Sequence, residues 1–522
     1  MRVFKAVQDL TPAVPGIFPS FNAQQICRYI RNRTRDPLQA LNGEGSFSTW
    51  LSTNELVMGA SMVILPPDLR ERLQRYGQEH ILTWWERFEI EQRRKLLRDL
   101  ERINFEELQA LFARREQKDA MPERHRIKPL PHPEIGDRRA LKEIGANAIR
   151  KGTVAYLVVA GGTGTRLGFD QPKGMFPIGP ISKRTLFQIH AEKILALHHR
   201  TGARMPLLVM TSPATDEPTR VFFKRRNYFR LPPQDVWFFC QGTMPTIDFA
   251  SGRLLFEASG HLSLSPNGHG GAITGVAESG LLDRLGERDI KTIYYFQVDN
   301  PLVNLADYAF IGRHLEVEAE VSSKVLPKTE PKEKVGNFLL VDNRCSMIEY
   351  SDLPEGWAQE TDERGQLKFW AGSPAIHLFD VEFLRKITGQ ADRLPWHLVR
   401  KRVPYLDETG QLVNPETENA LKFERFIFDI LPQAERWTIL PTARAEEFAP
   451  VKNQDGANSP ATAQRMMCDQ AARWLHDAAI EVPEGIRVEI SPLFALDADE
   501  VRHSDQKIPP ISRDTYLRVP QD

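Results

Sequence analysis

The sequence predicts an α/β protein with a doubly wound, mostly parallel sheet, preceded by a helical domain and followed by a small C-terminal domain. Three features carry that reading: continuous apolar runs of strand length, helical patterns between them, and a glycine-rich loop directly after the first run. Strands covered on both faces read as unbroken apolar runs rather than as alternating ones, which is how a parallel sheet sandwiched between helices appears in sequence.

Taken in order, residues 1–61 mix Pro, Asn, Arg and Ser with apolar runs of no period and are read as an unassigned, disordered extension. Met62 is followed by Pro66-Pro67-Asp68 and by apolar residues at 69, 73, 76, 81, 84, 85 and 88, a helical recurrence behind an N-terminal signal. A second helix passes through Leu96, Leu97, Leu100 and Ile103, and Asn104 caps a third through Leu111 and Phe112. The Trp84-Trp85 pair is read as core, because aromatic residues at helical spacing mostly pack inward. A Pro-rich, charged segment closes this helical domain and linker, 62–145.

The catalytic domain is assigned to 146–455. Its apolar runs are 154–160, 206–211, 236–239 and 292–298, with helices from Thr185 to Arg200, after Pro213, from Gly271 and from Leu305. A helix from Ala461 to Ala479 and a β-like tail, IRVEISPLFAL, make a small domain of 456–522. A chain of 522 residues exceeds what one core supports, so several domains are expected.

Composition excludes other classes. Lys plus Arg (68) and Asp plus Glu (69) nearly cancel, so no net field draws the chain to nucleic acid or an anionic membrane. No apolar window reaches the length of a membrane helix and the N-terminus has no signal-like core, so a cytoplasmic location is expected. Cys27, Cys240, Cys345 and Cys468 lie singly, as reduced structural thiols rather than a zinc or disulfide framework.

The chemistry gathers at Ala160-Gly161-Gly162-Thr163-Gly164-Thr165-Arg166-Leu167-Gly168, at the C-terminal end of the first strand, where open α/β sheets bind ligands. Four glycines let the backbone approach a phosphate or base with N–H groups free to donate. Phe169-Asp170 after Gly168 excludes a Walker loop, and Gln171-Pro172-Lys173-Gly174 interrupts any dinucleotide fingerprint. A nicotinamide or flavin oxidoreductase would also need an acidic strand end about 20 residues on, where this chain reads as helix (FQIHAEKILALHHR).

The run AGGTGTRLGFDQPKGMFPIG resembles the signature of the UDP-sugar pyrophosphorylases, most closely the eukaryotic-type UDP-N-acetylhexosamine enzymes. The resemblance continues through GQEH (77–80), NFEEL (104–108), QGTMP (241–245), VDN (298–300), VGNFLLVD (335–342), IEYSDL (348–353), KFERFIFDI (422–430) and EEFAPVKN (446–453), and spans roughly residues 62–510. It implies a Rossmann-like nucleotidyltransferase sheet and an enzyme that joins UTP to a sugar 1-phosphate, giving a UDP-sugar and pyrophosphate.

It also implies site residues. Gly161 and Gly162 would contact uridine, Gln241 would read the uracil edge with one donor and one acceptor, and Gly268 belongs to the loop folded against base and ribose. Arg166, Lys173 and Lys452 form the implied phosphate clamp. Gly336 and Glu349 match positions on the sugar side; for Glu349 a buried structural role stands level with a sugar contact. Asp299, read alone, serves equally as a turn cap or a metal ligand, and the resemblance makes it the ligand of Mg²⁺. No nucleophile is needed, since phosphoryl-type transfer depends on positioning and charge. A catalytically inactive nucleotide-binding homologue is the competing class, and retention of Arg166, Lys173, Asp299 and Lys452 counts against it.

N-Acetylglucosamine 1-phosphate is the sugar substrate that overall resemblance implies, but two positions depart from the N-acetylhexosamine enzymes. His269 replaces the Asn of PDGNGG and is similar to the PxGHG form of UDP-glucose and broad-specificity enzymes. Ile376 stands where AGNIANHFF has its second Asn, a sugar contact in the family. An aliphatic side chain there predicts weak discrimination between the N-acetyl sugar and glucose or galactose 1-phosphate.

Overall fold

The computed structural model describes residues 63–117, 121–390, 394–506 and 508–520. The expectations for residues 1–61, Cys27 among them, lie outside the described residues. The chain divides into two compact units, one running to Gln109 and taking in Arg253–Ser263 and Pro404–Asn414, the other holding the rest.

The first unit contains helices α1 (Pro67–Arg75), α2 (His80–Trp85) and α3 (Ile90–Glu101). The recurrence from 69 to 88 is not one helix: Gly77 adopts φ 68°, a left-handed turn open to glycine, and separates α1 from α2. Trp84 and Trp85 are buried, and Trp84 stacks on Phe88 with ring centroids 5.7 Å apart, so the tryptophan pair is core as expected. Helix α4 (Phe105–Ala113) begins where Asn104 caps it, with the Glu107 N–H donating to Asn104 Oδ1 at 3.1 Å.

The second unit is built on an eleven-stranded sheet. In chain order its strands are β1 (Ile127–Pro129), β2 (Val154–Val159), β3 (Leu207–Thr211), β4 (Val236–Cys240), β5 (Thr292–Gln297), β6 (Val321–Pro327), β7 (Asn337–Val341), β8 (Arg344–Ile348), β9 (Ala371–Gly372), β10 (His377–Asp380) and β11 (Trp437–Pro441). In space they run β1-β7-β9-β6-β10-β5-β2-β3-β4, with β8 on β7 and β11 on β6. Pairings β5-β2, β2-β3 and β3-β4 are parallel, as the apolar runs predict. Strand β10 runs antiparallel between β5 and β6. A strand buried on both faces looks the same in either direction, so apolarity alone does not reveal that reversal.

The sheet is covered on both faces. Val154, Tyr156 and Val158 of β2 enter one apolar core with residues of α6 (Leu186–Thr201), while Ala155 and Leu157 enter the other with residues of α8 (Gly271–Glu278). Between these helices in sequence lies α7 (Asp216–Arg225), and Val381–Thr388 forms another helix of the second core. Each fully buried side chain of this kind contributes about 1.5–3 kcal/mol. Two helices, α5 (Arg138–Arg150) and α9 (Tyr308–Glu316), approach through glycines: a Cβ on Gly145 would lie 1.9 Å from the Tyr308 carbonyl oxygen, and one on Gly312 1.9 Å from that of Leu141. After Ser459, which caps the helix Pro460–Asp477, a small cluster of Ala471, Leu475, Val488, Val501, Ile511 and Leu517 makes a local core. Among the described residues no helix is long and apolar enough to cross a membrane.

Candidate active site

Four neighbouring parallel strands end together and each delivers a candidate residue. Gln297 of β5 pairs with Val159 of β2, so two residues further on Asp299 stands level with Gly161. Thr211 of β3 pairs with Cys240 of β4, which sets Ser212 and Gln241 just past the same edge. Ser212 Oγ donates to the Gly161 carbonyl at 2.7 Å, and the Gln241 N–H donates to the Thr211 carbonyl at 2.9 Å. Gln241 is 7% exposed. A Cβ on Gly161 would fall 2.9 Å from Gln241 Nε2, so only glycine lets this amide lie across the loop.

The glycine loop folds back on itself. The Gly164 N–H donates to the Gln171 carbonyl at 2.8 Å and that of Lys173 to the Gly162 carbonyl at 3.0 Å. This closure returns Lys173, eleven positions later in sequence, to the strand edge, where its Nζ lies 3.4 Å from Asp299 Oδ2. Arg166 sits exposed on the short helical turn Thr165–Leu167, and Gly162 is exposed beside it.

A second loop closes over Asp299. The Val451 N–H donates to the Asp299 carbonyl at 2.9 Å, Asn300 Nδ2 donates to the Glu447 carbonyl at 2.7 Å, and Asn300 Oδ1 accepts from the Ala449 N–H at 3.0 Å. Those bonds bring Lys452 to a cavity of about 210 Å³ that it shares with Asp299, His269, Gly336 and Glu349. Lys324 is fully buried and pairs with Asp307 at 2.7 Å and with Glu447, whose carbonyl accepts from Asn300. Burial and Asp352 push the Glu349 carboxyl up, against the opposing pull of Lys452 and His397.

Gly268 at φ 83° lies against the chain at Arg425, where a Cβ would meet the carbonyl oxygen at 2.4 Å. His269 Nδ1 accepts from the Ile427 N–H at 3.1 Å, which assigns the ring proton to Nε2. Burial, with His397 and Lys452 nearby, drives its pKa down to about 4, so the ring is neutral at neutral pH.

Residues 103–511 match the family model of UTP–glucose-1-phosphate uridylyltransferase. The chain belongs to that family. Human UDP-N-acetylhexosamine pyrophosphorylase-like protein 1 is 36% identical over 78% of this chain and 85% of its own. UDP-N-acetylglucosamine diphosphorylase 2 of Arabidopsis thaliana is 33% identical over 86% and 95% respectively. Among solved structures, the uridine diphosphate N-acetylglucosamine pyrophosphorylase of Trypanosoma brucei superposes with TM-score 0.74 at 28% identity, over 88% of this chain and all of that one.

Within this uridylyltransferase fold Gly161 lies against Gln241, Gly162 is tied to Lys173, Gly268 lies against Arg425, and His269, Asp299, Gly336, Glu349 and Lys452 surround the cavity. Lys173 joins them through Asp299, and Arg166 stands on the glycine loop. Among the described residues no group of three or more His, Cys, Asp and Glu could hold a metal. A largely buried carboxylate such as Asp299 still fits Mg²⁺, which takes one or two carboxylates and completes its shell with substrate phosphates and water.

Ile376 requires a correction. It is 1% exposed and belongs to the apolar core on one sheet face, so it is absent from the cavity wall. Side chains alternate along a strand, and it is the next residue, His377, that lines the cavity together with Ser373, Pro374 and Ala375. The argument for weak sugar discrimination therefore loses its basis. Sequence reasoning also passed over His377, Asn300 and Phe428 as site residues. Asn300 and Phe428 lie within the quoted VDN and KFERFIFDI segments, but only the hydrogen bonds and the cavity single them out.

Proposed function

We propose that this uridylyltransferase-family member transfers the uridylyl group of UTP to N-acetylglucosamine 1-phosphate, releasing pyrophosphate. The observation that carries the reading is the convergence of Lys173 and Asp299, 3.4 Å apart, with Lys452 on the same cavity at the carboxyl ends of the parallel strands. The human and plant relatives bear names of N-acetylhexosamine or N-acetylglucosamine enzymes, which favours that sugar over glucose.

Gln241 presents its amide to the uracil edge across Gly161. Arg166, Lys173 and Lys452 take the phosphates, Arg with a planar fork and Lys as point charges. A phosphate oxygen of the sugar substrate bonds to the α-phosphorus of UTP while the bond from that phosphorus to the departing pyrophosphate breaks. The attacking phosphate is already ionised, so no general base is required. Asp299 would hold Mg²⁺, which supplies charge neutralisation at the phosphates. The lysines and Arg166 stabilise charge that builds toward the transition state. Glu349, with its carboxyl pushed up by burial, faces the sugar side.

The test is pyrophosphate release with UTP, CTP, GTP and ATP against N-acetylglucosamine, glucose and galactose 1-phosphates, with and without Mg²⁺. The expected result is Mg²⁺-dependent turnover with UTP and the N-acetyl sugar, abolished in Asp299→Ala with the fold retained. Equal use of all nucleotides, or higher kcat/KM with glucose 1-phosphate, would overturn the assignment.

A further inference from the structure

His377 sits at the start of β10, 1% exposed, on the wall of the cavity that holds Asp299 and Lys452. Its Nδ1 is engaged with Ser323 Oγ at 2.8 Å, while its buried Nε2 has no hydrogen-bond partner among the described residues. A buried polar atom left unpaired costs about 1–3 kcal/mol, so a fold keeps one where something else supplies the partner. Directly across the strand pair, Tyr295 faces His377 in register, with ring centroids 5.6 Å apart. The unpaired Nε2 thus stands in otherwise aromatic surroundings that include Tyr295, Phe338 and Phe379.

The approach to His377 is itself strained. Ala375, two residues before it and on the same wall, takes φ 57°, a left-handed conformation costly for a residue with a Cβ, and its N–H donates to Ser373 Oγ at 3.1 Å. Strain of this kind concentrates at ligand sites. Burial, reinforced by His269, holds the imidazole neutral with a pKa of about 3. A neutral ring offers one hydrogen bond at Nε2, as donor or acceptor according to the direction of the Ser323 contact. Charged phosphates are better matched by the lysines, whereas a neutral sugar hydroxyl or acylamino group can satisfy either tautomer.

We propose that His377 is a specificity residue whose Nε2 hydrogen-bonds a polar group of the sugar, the role that Ile376 cannot play. This deepens the uridylyltransferase reading and rests on it. The test separates sugar from nucleotide by calorimetric binding of UDP and of UDP-N-acetylglucosamine to the wild type, His377→Phe and His377→Gln. Phe keeps the ring and removes both nitrogens; Gln returns a polar amide. The expected result is unchanged UDP affinity in both variants. UDP-N-acetylglucosamine affinity should fall by about 5- to 150-fold in His377→Phe, the span of one buried group left unpaired, and recover in part in His377→Gln. An unchanged ratio of the two affinities in His377→Phe would overturn the proposal. So would an equal loss for both ligands or a lowered melting temperature alone, since each marks a structural role. Wild-type protein that binds neither ligand would instead remove the parent reading, and the proposal with it.

Discussion

Replacing Gly161 by Ala adds one methyl group at a position where the fold leaves no room for it without moving Gln241. The new Cβ would lie 2.9 Å from Gln241 Nε2 and 3.4 Å from both Gln241 Cδ and Ser212 Cβ. The closest atom is the far end of a side chain, so the chain yields there rather than in the backbone, and the sheet beneath should fold unaltered. The displaced amide then meets the uracil edge badly. An unsatisfied polar group in the bound complex costs about 1–3 kcal/mol, which at about 1.4 kcal/mol per tenfold corresponds to about 5- to 150-fold in kcat/KM for UTP. Because the loss falls on base reading, the preference for UTP over CTP should narrow by a similar factor. Urea unfolding and steady-state kinetics with both nucleotides measure the two effects separately. A wild-type UTP to CTP ratio in a folded Gly161→Ala protein would refute the placement of Gln241 against the base.

Further outcomes are expected. Lys173→Ala, Arg166→Ala and Lys452→Ala should each lower kcat by about 100-fold or more, the scale of removing one transition-state donor; near-normal rates in all three would dissolve the clamp. Lys324→Met leaves Asp307 and Glu447 facing one another in a buried site, and should cost about 3–5 kcal/mol in urea unfolding. A loss under about 1 kcal/mol, the scale of an exposed pair, would show the triad to be hydrated. Burial depresses His190, His314 and His377 to about 3 and His269 to about 4, from the ordinary imidazole value of about 6.5. Depressed values mean that the unfolded chain binds more protons, so the stability of these groups is complete above pH 6.5 and declines as pH falls toward 3 to 4. A urea midpoint that stays level from pH 7 to 5 would contradict that burial.

Helix and strand types were legible because periodicity reports which faces are buried, and here burial and pattern agree at β2, β3, β4 and β5. The break at Gly77 was legible only as a glycine, since a turn within a continuing apolar recurrence leaves no mark on the pattern. Gly161, Gly162, Arg166, Lys173, Gln241, Gly268, His269, Asp299, Gly336, Glu349 and Lys452 came from motif resemblance, and their distances to one another did not. Lys173 reaches Asp299 because hydrogen bonds fold the loop between Gly162 and Lys173 back on itself, and Lys452 reaches the cavity because Asn300 ties down the segment after Glu447.

The cavity wall at 373–377 shows where sequence and structure part company. Residue types at 371–379 are plain in the chain, and by resemblance Ile376 reads as the sugar-facing position. Which of two adjacent residues faces the cavity depends on the phase of β10, and that phase is set by pairing with β5 and β6 and by the left-handed turn at Ala375. A shift of one residue exchanges the two faces of a strand. Local pattern therefore determined the elements, their class and the glycine-rich loop at the carboxyl end of the first parallel strand. The side chains that meet across the site were decided by contacts between segments more than 100 positions apart, such as Lys173 with Asp299 and Asn300 with Glu447, because long-range packing leaves no trace in local periodicity.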